Sequence, residues 1–300
     1  MAINRAQLAK ELEPGLNALF GLEYARYENE AAQIFEQESS DRAFEEEVML
    51  VGFGQANVKA EGSAVGFDTA SESFTARYVH DTIALAFALT EEAVEDNLYD
   101  SLSARYTKAL ARSMAYTKQV RGANVLNDAF TVAGGDGVSL INTAHPTALG
   151  GNFSNRSATD ADLNETSLEQ AMIDIAGFID ERGLKIAMKG QKLILPVNSQ
   201  FIADRILEST LRVGTADNDI NAMKNMGMLP GGYTVNHYLT DTDAWFIKTD
   251  CPNGFKHFVR AALATGMEGD FDTGNMRYKA RERYSFGYSD PRAAYGSRGS

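Results

Sequence analysis

Four histidines and one cysteine are the residues of this chain best suited to acid–base, nucleophilic or metal chemistry. His80, His145, His237 and His257 lie far apart, and none belongs to a His-Glu-x-x-His arrangement. An isolated histidine is more often structural than catalytic, and a lone cysteine such as Cys251 is more often a packed small side chain than a nucleophile. The pattern predicts no catalytic residue and no metal ligand among them.

Two polar runs resemble ligand-binding loops only in part. Asp270, Asp272 and Asn275 have some of the residue types of a calcium loop, but the glycine and glutamate spacing of the full motif is missing. The glycine-rich run at 134–137 lacks the Gly-Lys-Ser/Thr ending of a phosphate loop. We therefore predict no cofactor and no metal, and we interpret the chain as a non-enzyme.

Composition limits the remaining classes of function. Of 300 residues, 44% are hydrophobic, as in an ordinary folded protein, and 28 basic against 41 acidic residues give a formal charge of −13. This balance argues against a dedicated nucleic-acid-binding surface and leaves a local basic patch open. One cysteine forms no intrachain disulfide, and neither a signal peptide nor an apolar run of membrane-spanning length is present. We expect a soluble protein made in a reducing compartment, with no membrane partner.

Residues 1–47 form a long lead-in segment. Leu8, Leu12, Leu16 and Leu19 have helical spacing, with a break or bend expected at Pro14, and an acidic run covers 36–47. This segment is either a surface helix with a solvated tail or an arm that packs on a neighbouring copy. The residues alone leave both interpretations open.

Residues 48–89 have the pattern of a long two-stranded hairpin with a glycine-rich tip. Gly52, Gly54, Gly62 and Gly66 interrupt the outgoing leg. The return leg runs through 74–79 and continues with apolar residues at two-residue spacing, Ile83, Leu85, Phe87 and Leu89. A lone hairpin of this length is marginal in water. Either a neighbouring subunit covers it or it folds back on its own domain.

The hairpin leads into a long amphipathic helix, predicted at 90–121. Apolar residues recur every three or four positions, Thr90 is a suitable N-cap, and Gly122 is suited to end the helix. At 1.5 Å per residue it would be roughly 45 Å long. Such a helix can serve as the spine of an extended subunit.

An α/β unit follows from Thr166. A helix with Ser167 and Gln170 in capping-box spacing is predicted to end at Arg182-Gly183, and short strands and helices follow. The last predicted element is a strand at 276–288, with a buried face and a face carrying Arg277, Lys279, Arg281 and Arg283. We expect this strand to pack on the spine helix. The fold class is α+β.

The order of these elements resembles the major capsid protein of tailed bacteriophages, whose fold is shared with encapsulin and herpesvirus shells. Four segments carry most of the resemblance: 192–207 (KLILPVNSQFIADRIL), 235–241 (VNHYLTD), 244–247 (AWFI) and 281–297 (RERYSFGYSDPRAAYGS). No single motif is diagnostic, but the succession covers nearly the whole chain.

The resemblance implies a domain layout. It consists of an N-terminal arm at 1–47, an extended β-hairpin loop at 48–89, a peripheral domain at 90–165 and 275–300 containing the spine helix, and an α/β axial domain at 166–274. Copies would form hexamers and pentamers of an icosahedral shell around double-stranded DNA, held without sequence-specific binding. The shell would be part of the virion and assemble in the host cytoplasm.

The resemblance also implies partners and contacts. Candidate partners are a scaffolding protein, a decoration or cement protein, and a portal. Since this chain starts almost at the arm, a separate scaffold or a cleaved precursor would each fit. We expect contacts between copies at ten residues of the arm, loop and final strand: Phe53, Lys59, Phe67, Arg77, Tyr78, Glu45, Glu46, Arg277, Arg281 and Arg283.

Three other interpretations compete with the viral shell. An encapsulin-like nanocompartment would use the same fold with a protein cargo. A soluble hydrolase would need a site assembled only in the folded protein, for which His237 and Asp241 are the residues to mutate. A small adhesin or receptor-binding module would be monomeric or trimeric in solution.

Overall fold

The computed structural model describes residues 5–90, 99–212, 219–270 and 274–300, an α+β fold. The first half contains α1 (Arg5–Arg26), β1 (Glu36–Ser39), β2 (Phe44–Val51), β3 (Ser71–Val79), β4 (Asp81–Leu89), α2 (Tyr99–Asn127), β5 (His145–Pro146) and β6 (Asn152–Phe153). The second half contains α3 (Glu165–Ala176), β7 (Gly190–Leu195), α4 (Gln200–Glu208), α5 (Ala222–Met226), β8 (Tyr233–Val235), β9 (Trp245–Thr249), β10 (Phe255–Gly269), β11 (Met276–Tyr288) and β12 (Ala294–Ser297). Within the described ranges, none of the helices combines the length and apolarity needed to cross a bilayer.

The first large sheet has the strand order β1-β10-β11-β4 and supports the two long helices. β11 is antiparallel to both neighbours, and β1 is parallel to β10. Helix α2 packs across one face of this sheet, and α1 packs along α2. The shared core consists of Leu16, Phe20, Leu110, Ala111, Met114, Tyr278 and Ala280. The expected packing of the spine helix on the final strand is confirmed.

β11 has the bounds that the alternating pattern predicts. Its buried residues include Tyr278, Ala280 and Tyr284, while Arg277, Lys279 and Arg281 are exposed. Glu282 also lies on the buried face, where it is the one acidic residue of the strand. Its carboxylate is buried, with Lys118 Nζ at 3.4 Å. Burial raises the pKa of Glu282, and Lys118 opposes that shift.

The predicted end of the spine helix is wrong, since α2 continues past Gly122 to Asn127. Gly122 is not a C-cap but a point of close approach. A Cβ there would lie 2.9 Å from the Ala31 Cβ and 3.6 Å from the Phe286 ring. Glycine is needed here because the helix packs closely against the turn at Glu30–Gln33 and against β11. The predicted helix start, with Glu91 and Glu92 in the first turn, lies outside the described residues.

Helix α1 is not broken at Pro14, which lies inside it. Pro14 is exposed, so water can reach the carbonyl that loses its partner. Beyond the proline, Leu16 and Phe20 are buried against α2 and the first sheet. This part of the arm thus packs on its own chain.

The hairpin is shorter than predicted, because its return leg divides between two sheets. β2 pairs with β3, from Phe44↔Val79 to Val51↔Ser71, whereas β4 joins β11 in the first sheet. The chain changes sheets at His80, which is buried and lies between Ser285 Oγ (3.0 Å) and Ser40 Oγ (2.9 Å). The two-residue spacing continues through this corner, so the local pattern does not mark it.

A second large sheet, β12-β9-β7-β8, forms the core of the α/β unit. Its core includes Leu193, Leu195, Trp245 and Ile247, covered by Ile175 of α3 and other apolar residues. The C-terminal segment divides between the sheets, with β11 in the first and β12 beside β9 in the second.

The boundaries predicted for α3 are wrong at both ends. The capping box joins Asn164 to Ser167 rather than Ser167 to Gln170, and the helix ends at Ala176, before Gly177. Ile179 pairs with Lys185 in an isolated bridge of the following turn. The apolar spacing continues beyond the helix because this turn also packs on the core.

Candidate assembly surfaces

The tip of the hairpin, residues 52–70, projects apolar side chains that nothing in the described chain covers. Val58 is 100% exposed and Phe67 is 99% exposed, with Phe53 and Val65 also largely exposed. Lys59 lies on the same exposed tip. A concentration of exposed apolar residues of this kind marks a surface that another molecule covers.

The base of the hairpin is held by a buried ion-pair cluster. Lys256 Nζ on β10 lies 3.0 Å from Glu38 of β1 and contacts Glu47 of β2. The Ser289 hydroxyl also donates to Glu47 and lies 2.5 Å from the Tyr78 hydroxyl. Burial alone would lower the pKa of Lys256, but its bonds to Glu47 and Glu38 outweigh burial and raise it. Without these two carboxylates the buried Lys256 ammonium would be an unpaired charge, and its bond to Glu47 fixes the hairpin to the first sheet.

Arg182, in the turn after α3, anchors the hairpin where the tip begins. Its guanidinium donates to the Gly52 carbonyl (3.1 Å), to the Thr69 carbonyl (2.7 Å) and to Asp68 (3.1 Å). Asp68 also accepts from the backbone N–H groups of Gly54 and Thr69, both at 2.8 Å. These two backbone bonds, then Arg182, lower the pKa of Asp68. No sequence pattern indicates this anchor, because Arg182 lies more than a hundred residues from its partners.

The outer face of the first sheet carries a row of cations, the basic row, made of Arg277, Lys279, Arg281 and Arg283. The positions beside Lys279 and Arg281 are small, namely Ala84 and Ala86 on β4 and Ala264 and Gly266 on β10, whereas Arg277 lies between Ala88 and Glu268. Arg277 pairs with Asp270 at 2.5 Å, and Arg283 Nε lies 3.4 Å from the His80 carbonyl. Lys279 and Arg281 have no ion-pair partner among the described residues. Small side chains therefore flank Lys279 and Arg281 on both sides, so an extended acidic segment can approach these two cations.

The ten predicted contact residues divide into three groups. Phe53, Lys59 and Phe67 lie together at the tip, and Arg277, Arg281 and Arg283 lie together in the basic row. The remaining four are near the hairpin base, where Glu46 and Arg77 face one another at 3.7 Å, Glu45 accepts from Ser40, and Tyr78 is buried. Arg77 also lies over the Phe44 ring. Tyr78 is used inside its own chain, where it packs on Phe258 and Gly287.

His145 is the histidine with the most polar surroundings. Its Nδ1 lies 2.6 Å from Asp136, and its Nε2 lies 3.1 Å from the Asn155 side-chain oxygen. The Asn155 amide nitrogen donates to the carbonyls of Leu140, Pro291 and Ala294. No bond from this cluster goes to an exposed nucleophile within the described chain. The arrangement ties the 136–155 loop to the C-terminal segment.

The other candidate chemical residues also have structural contacts. His237 pairs with Glu30 at 2.7 Å, which joins the arm to the α/β unit, and Asp241 accepts from the N–H groups of the turn that follows it. Burial, then Asp290, raises the pKa of the Cys251 thiol and keeps it protonated. Asp270 of the partial calcium pattern pairs with Arg277, and Asp272 lies outside the described residues. Among the described residues, no group of His, Cys, Asp and Glu is arranged to hold a metal ion.

The model of the family described as "Phage capsid protein" matches residues 73–297 of this chain. A search of curated protein sequences found no match.

Among solved structures, the fold is similar to a virus-like particle from Pyrococcus furiosus (10% identity, TM-score 0.57, 95% of this chain and 98% of that chain). It is also similar to Mycobacterium phage Che8 (16% identity, TM-score 0.55, 89% of each chain). A third similar structure is the capsid of Myoviridae phage XM1 (12% identity, TM-score 0.52, 89% of each chain). At these identities the likeness concerns the fold.

Proposed function

The chain belongs to the phage capsid protein family, and we propose that its copies tile as hexamers and pentamers into an icosahedral head around double-stranded DNA. It is a major capsid protein and a component of the virion. The observation that carries the finer proposal is the hairpin, whose apolar tip is left uncovered by the described residues of its own chain. In a closed shell every copy supplies one tip and receives another, so that modest interfaces add up to a stable lattice.

The partner surface proposed for the hairpin is the basic row of a neighbouring copy. Glu46 and Glu72 are exposed on the two strands of the hairpin, and Lys279 and Arg281 are exposed in the row. Opposite charges would orient the hairpin across the basic row, and the apolar tip would bind beyond it. Of the ten predicted contacts, Tyr78 is left out because it is buried within the subunit.

The domain layout and external partners are part of the same proposal. The axial unit predicted at 166–274 would gather around the centre of each capsomer, and 90–165 with 275–300 would form the periphery, with the arm at 1–47. Two strands cross this division, because β10 pairs with β11 in the first sheet and β12 pairs with β9 in the second. A scaffolding protein, a decoration or cement protein and a portal would complete assembly in the host cytoplasm. The DNA would be enclosed without sequence-specific contacts.

The test is a trimmed tip. Replacing residues 55–66 by a short glycine turn, together with Phe67→Ser, keeps Gly52, Asp68 and Thr69 for the Arg182 anchor. We expect a folded subunit that forms no closed shells by negative-stain microscopy, because the deleted contacts are intermolecular. Leu149→Ser, which removes a largely exposed apolar side chain from another loop, is the control and should assemble normally.

Normal shells from the trimmed variant would contradict the proposal. Shells that contain protein cargo instead of DNA would favour the nanocompartment, for which the likeness to a virus-like particle is the supporting observation. A uniform field of monomers from the unmodified chain under every condition would contradict the shell itself.

A further inference from the structure

Helix α2 carries a second cationic surface that the assembly contacts above do not use. From Ser101 to Asn127 the chain contains five basic residues and no carboxylate, although acidic residues outnumber basic ones by 41 to 28 overall. Lys118 and Arg121 are used inside the subunit, with Glu282 and Asp81 as partners. The other three cations of this run require a different explanation.

Arg105, Lys108 and Arg112 lie at positions i, i+3 and i+7, which places them on one face of the helix. We call this face the basic stripe. All three are exposed, and none forms an ion pair with a described carboxylate. They span about 10 Å along the helix axis. Ala109 and Ser113, which share this exposed face, are small, so a ligand can approach the three cations closely.

The basic stripe and the basic row lie on opposite sides of the first sheet. Leu110 and Met114 of α2 pack against Tyr278 and Ala280 of β11, whereas Lys279 alternates to the other face of that strand. In a shell, a protein neighbour can cover one of these surfaces while the other faces a different partner. Their shapes differ as well: the row lies along a β-strand, and the stripe forms a convex ridge on a helix.

We propose that the basic stripe faces the interior of the shell and binds the phosphate backbone of the packaged double-stranded DNA. This inference rests on the proposed function. A ridge of three cations separated by small residues can bind phosphates without a matching shape or a base-reading group. A shell of strongly acidic subunits would otherwise repel its contents, and concentrating unpaired cations on the inner surface reduces that repulsion.

The experiment neutralises the stripe with Arg105→Gln, Lys108→Gln and Arg112→Gln. The matched control changes the same number of exposed cations on the α/β unit, with Lys185→Gln, Lys189→Gln and Arg205→Gln. The first readout is the amount of nuclease-protected nucleic acid per shell. It is combined with formaldehyde crosslinking between DNA and Lys108 in filled particles of the unmodified protein. We expect the stripe variant to form normal shells that retain several-fold less nucleic acid, and the control to retain the usual amount.

The second readout uses unassembled full-length subunits and a short duplex DNA, so it does not depend on shell formation. The plot of log affinity against log salt should lose about 2.7 of its slope in the stripe variant, since each phosphate contact contributes about 0.9. An unchanged slope would overturn the inference, as would unchanged DNA content with no crosslink at Lys108. Folded stripe variants that form no shells would also overturn it and would assign the stripe to contacts between copies. Failure of the unmodified chain to assemble would instead count against the proposed function.

Discussion

Buried polar side chains join segments of this subunit that are distant in sequence. Asn155 is fully buried and donates to three carbonyls, at 2.6, 2.9 and 3.0 Å, while its oxygen accepts from the Asn142 N–H and faces His145. Arg292 is similarly buried between Glu181 at 2.8 Å and Asp290 at 3.3 Å. Each such group must be fully bonded, because an unpaired buried polar atom costs about 1–3 kcal/mol.

Replacing Asn155 by alanine should therefore strongly destabilise the subunit. Three carbonyls and one N–H would lose their partner inside the protein, and we expect the free energy of unfolding of the unassembled subunit to fall by about 3–5 kcal/mol. Denaturant titration measures this free energy of unfolding. Asn152→Ala, at an exposed position, should change it by less than about 0.5 kcal/mol. Equal effects of the two substitutions would show that the Asn155 contacts do not stabilise the fold.

His257 should make stability depend on pH. Burial, then Lys118, lowers the pKa of His257 to about 4, against about 6.5 in an unfolded chain. As the pH falls from 6.5 to 4, only the unfolded state takes up the proton, so stability falls over that window, by at most about 3 kcal/mol. His257→Phe preserves the stacking on Phe286 and removes the titration, so its stability should decline less.

Urea midpoints between pH 7 and pH 4 measure the difference between the two proteins. Glu282, whose pKa is raised by burial, acts in the opposite direction, but it is present in both proteins and cancels in the comparison. Parallel curves for the phenylalanine variant and the unmodified protein would contradict the assignment to His257.

At the scale of elements, packing between segments sets several boundaries that local signals place elsewhere. Helix α2 passes through Gly122 because continuing the helix buries the apolar residues that follow, including Ala123 and Leu126. β10 was not predicted at all. Its alternation is obscured by small residues such as Ala261, Ala262 and Ala264, and its register shifts at two places along β11.

Gly122→Ala should destabilise the subunit even though alanine is the better helix former. The propensity gain is about 1 kcal/mol, whereas a Cβ at 2.9 Å from the Ala31 Cβ forces the turn at Glu30–Gln33 to move and costs about 1–3 kcal/mol. Thermal denaturation of the unassembled subunit measures the net loss. Gly21→Ala in α1 is the matched control, because no atom lies within 4 Å of its added Cβ, and it should be neutral or stabilising. A stabilised Gly122 variant would mean that the turn yields at no cost.

For the whole molecule, the opposed positions of the basic row and the basic stripe suggest a subunit with two different charged sides. The hairpin is fixed at its base by Lys256 and at the start of its tip by Arg182, so its direction is set before a neighbour binds. Preorganisation of this kind lowers the entropy cost of assembly.

Reversing charge in the basic row should prevent assembly without unfolding the subunit. Lys279→Glu with Arg281→Glu places like charges opposite the acidic hairpin of the neighbour, and we expect closed shells to be lost in light scattering and microscopy. Lys185→Glu with Lys189→Glu changes the net charge equally on another surface and should assemble. If both pairs assemble equally well, the row does not receive the hairpin.

The sequence by itself determined the class of this protein. The two-residue alternation of 276–288, ended by Asp290-Pro291, specified β11 at both ends, and the 3.6-residue period identified the spine helix. With the order of the other elements, these were enough to indicate the capsid fold and the family.

Only the tertiary structure decided which strands pair, where the chain changes sheets at His80, and which charges are buried together. Periodicity records whether a residue faces apolar or polar surroundings, but not which segment provides them. The Arg182 anchor, the Lys256 cluster and the close approach at Gly122 all depend on residues more than eighty positions away. Long-range pairing is fixed by the packing of the whole chain, so a local pattern cannot specify it.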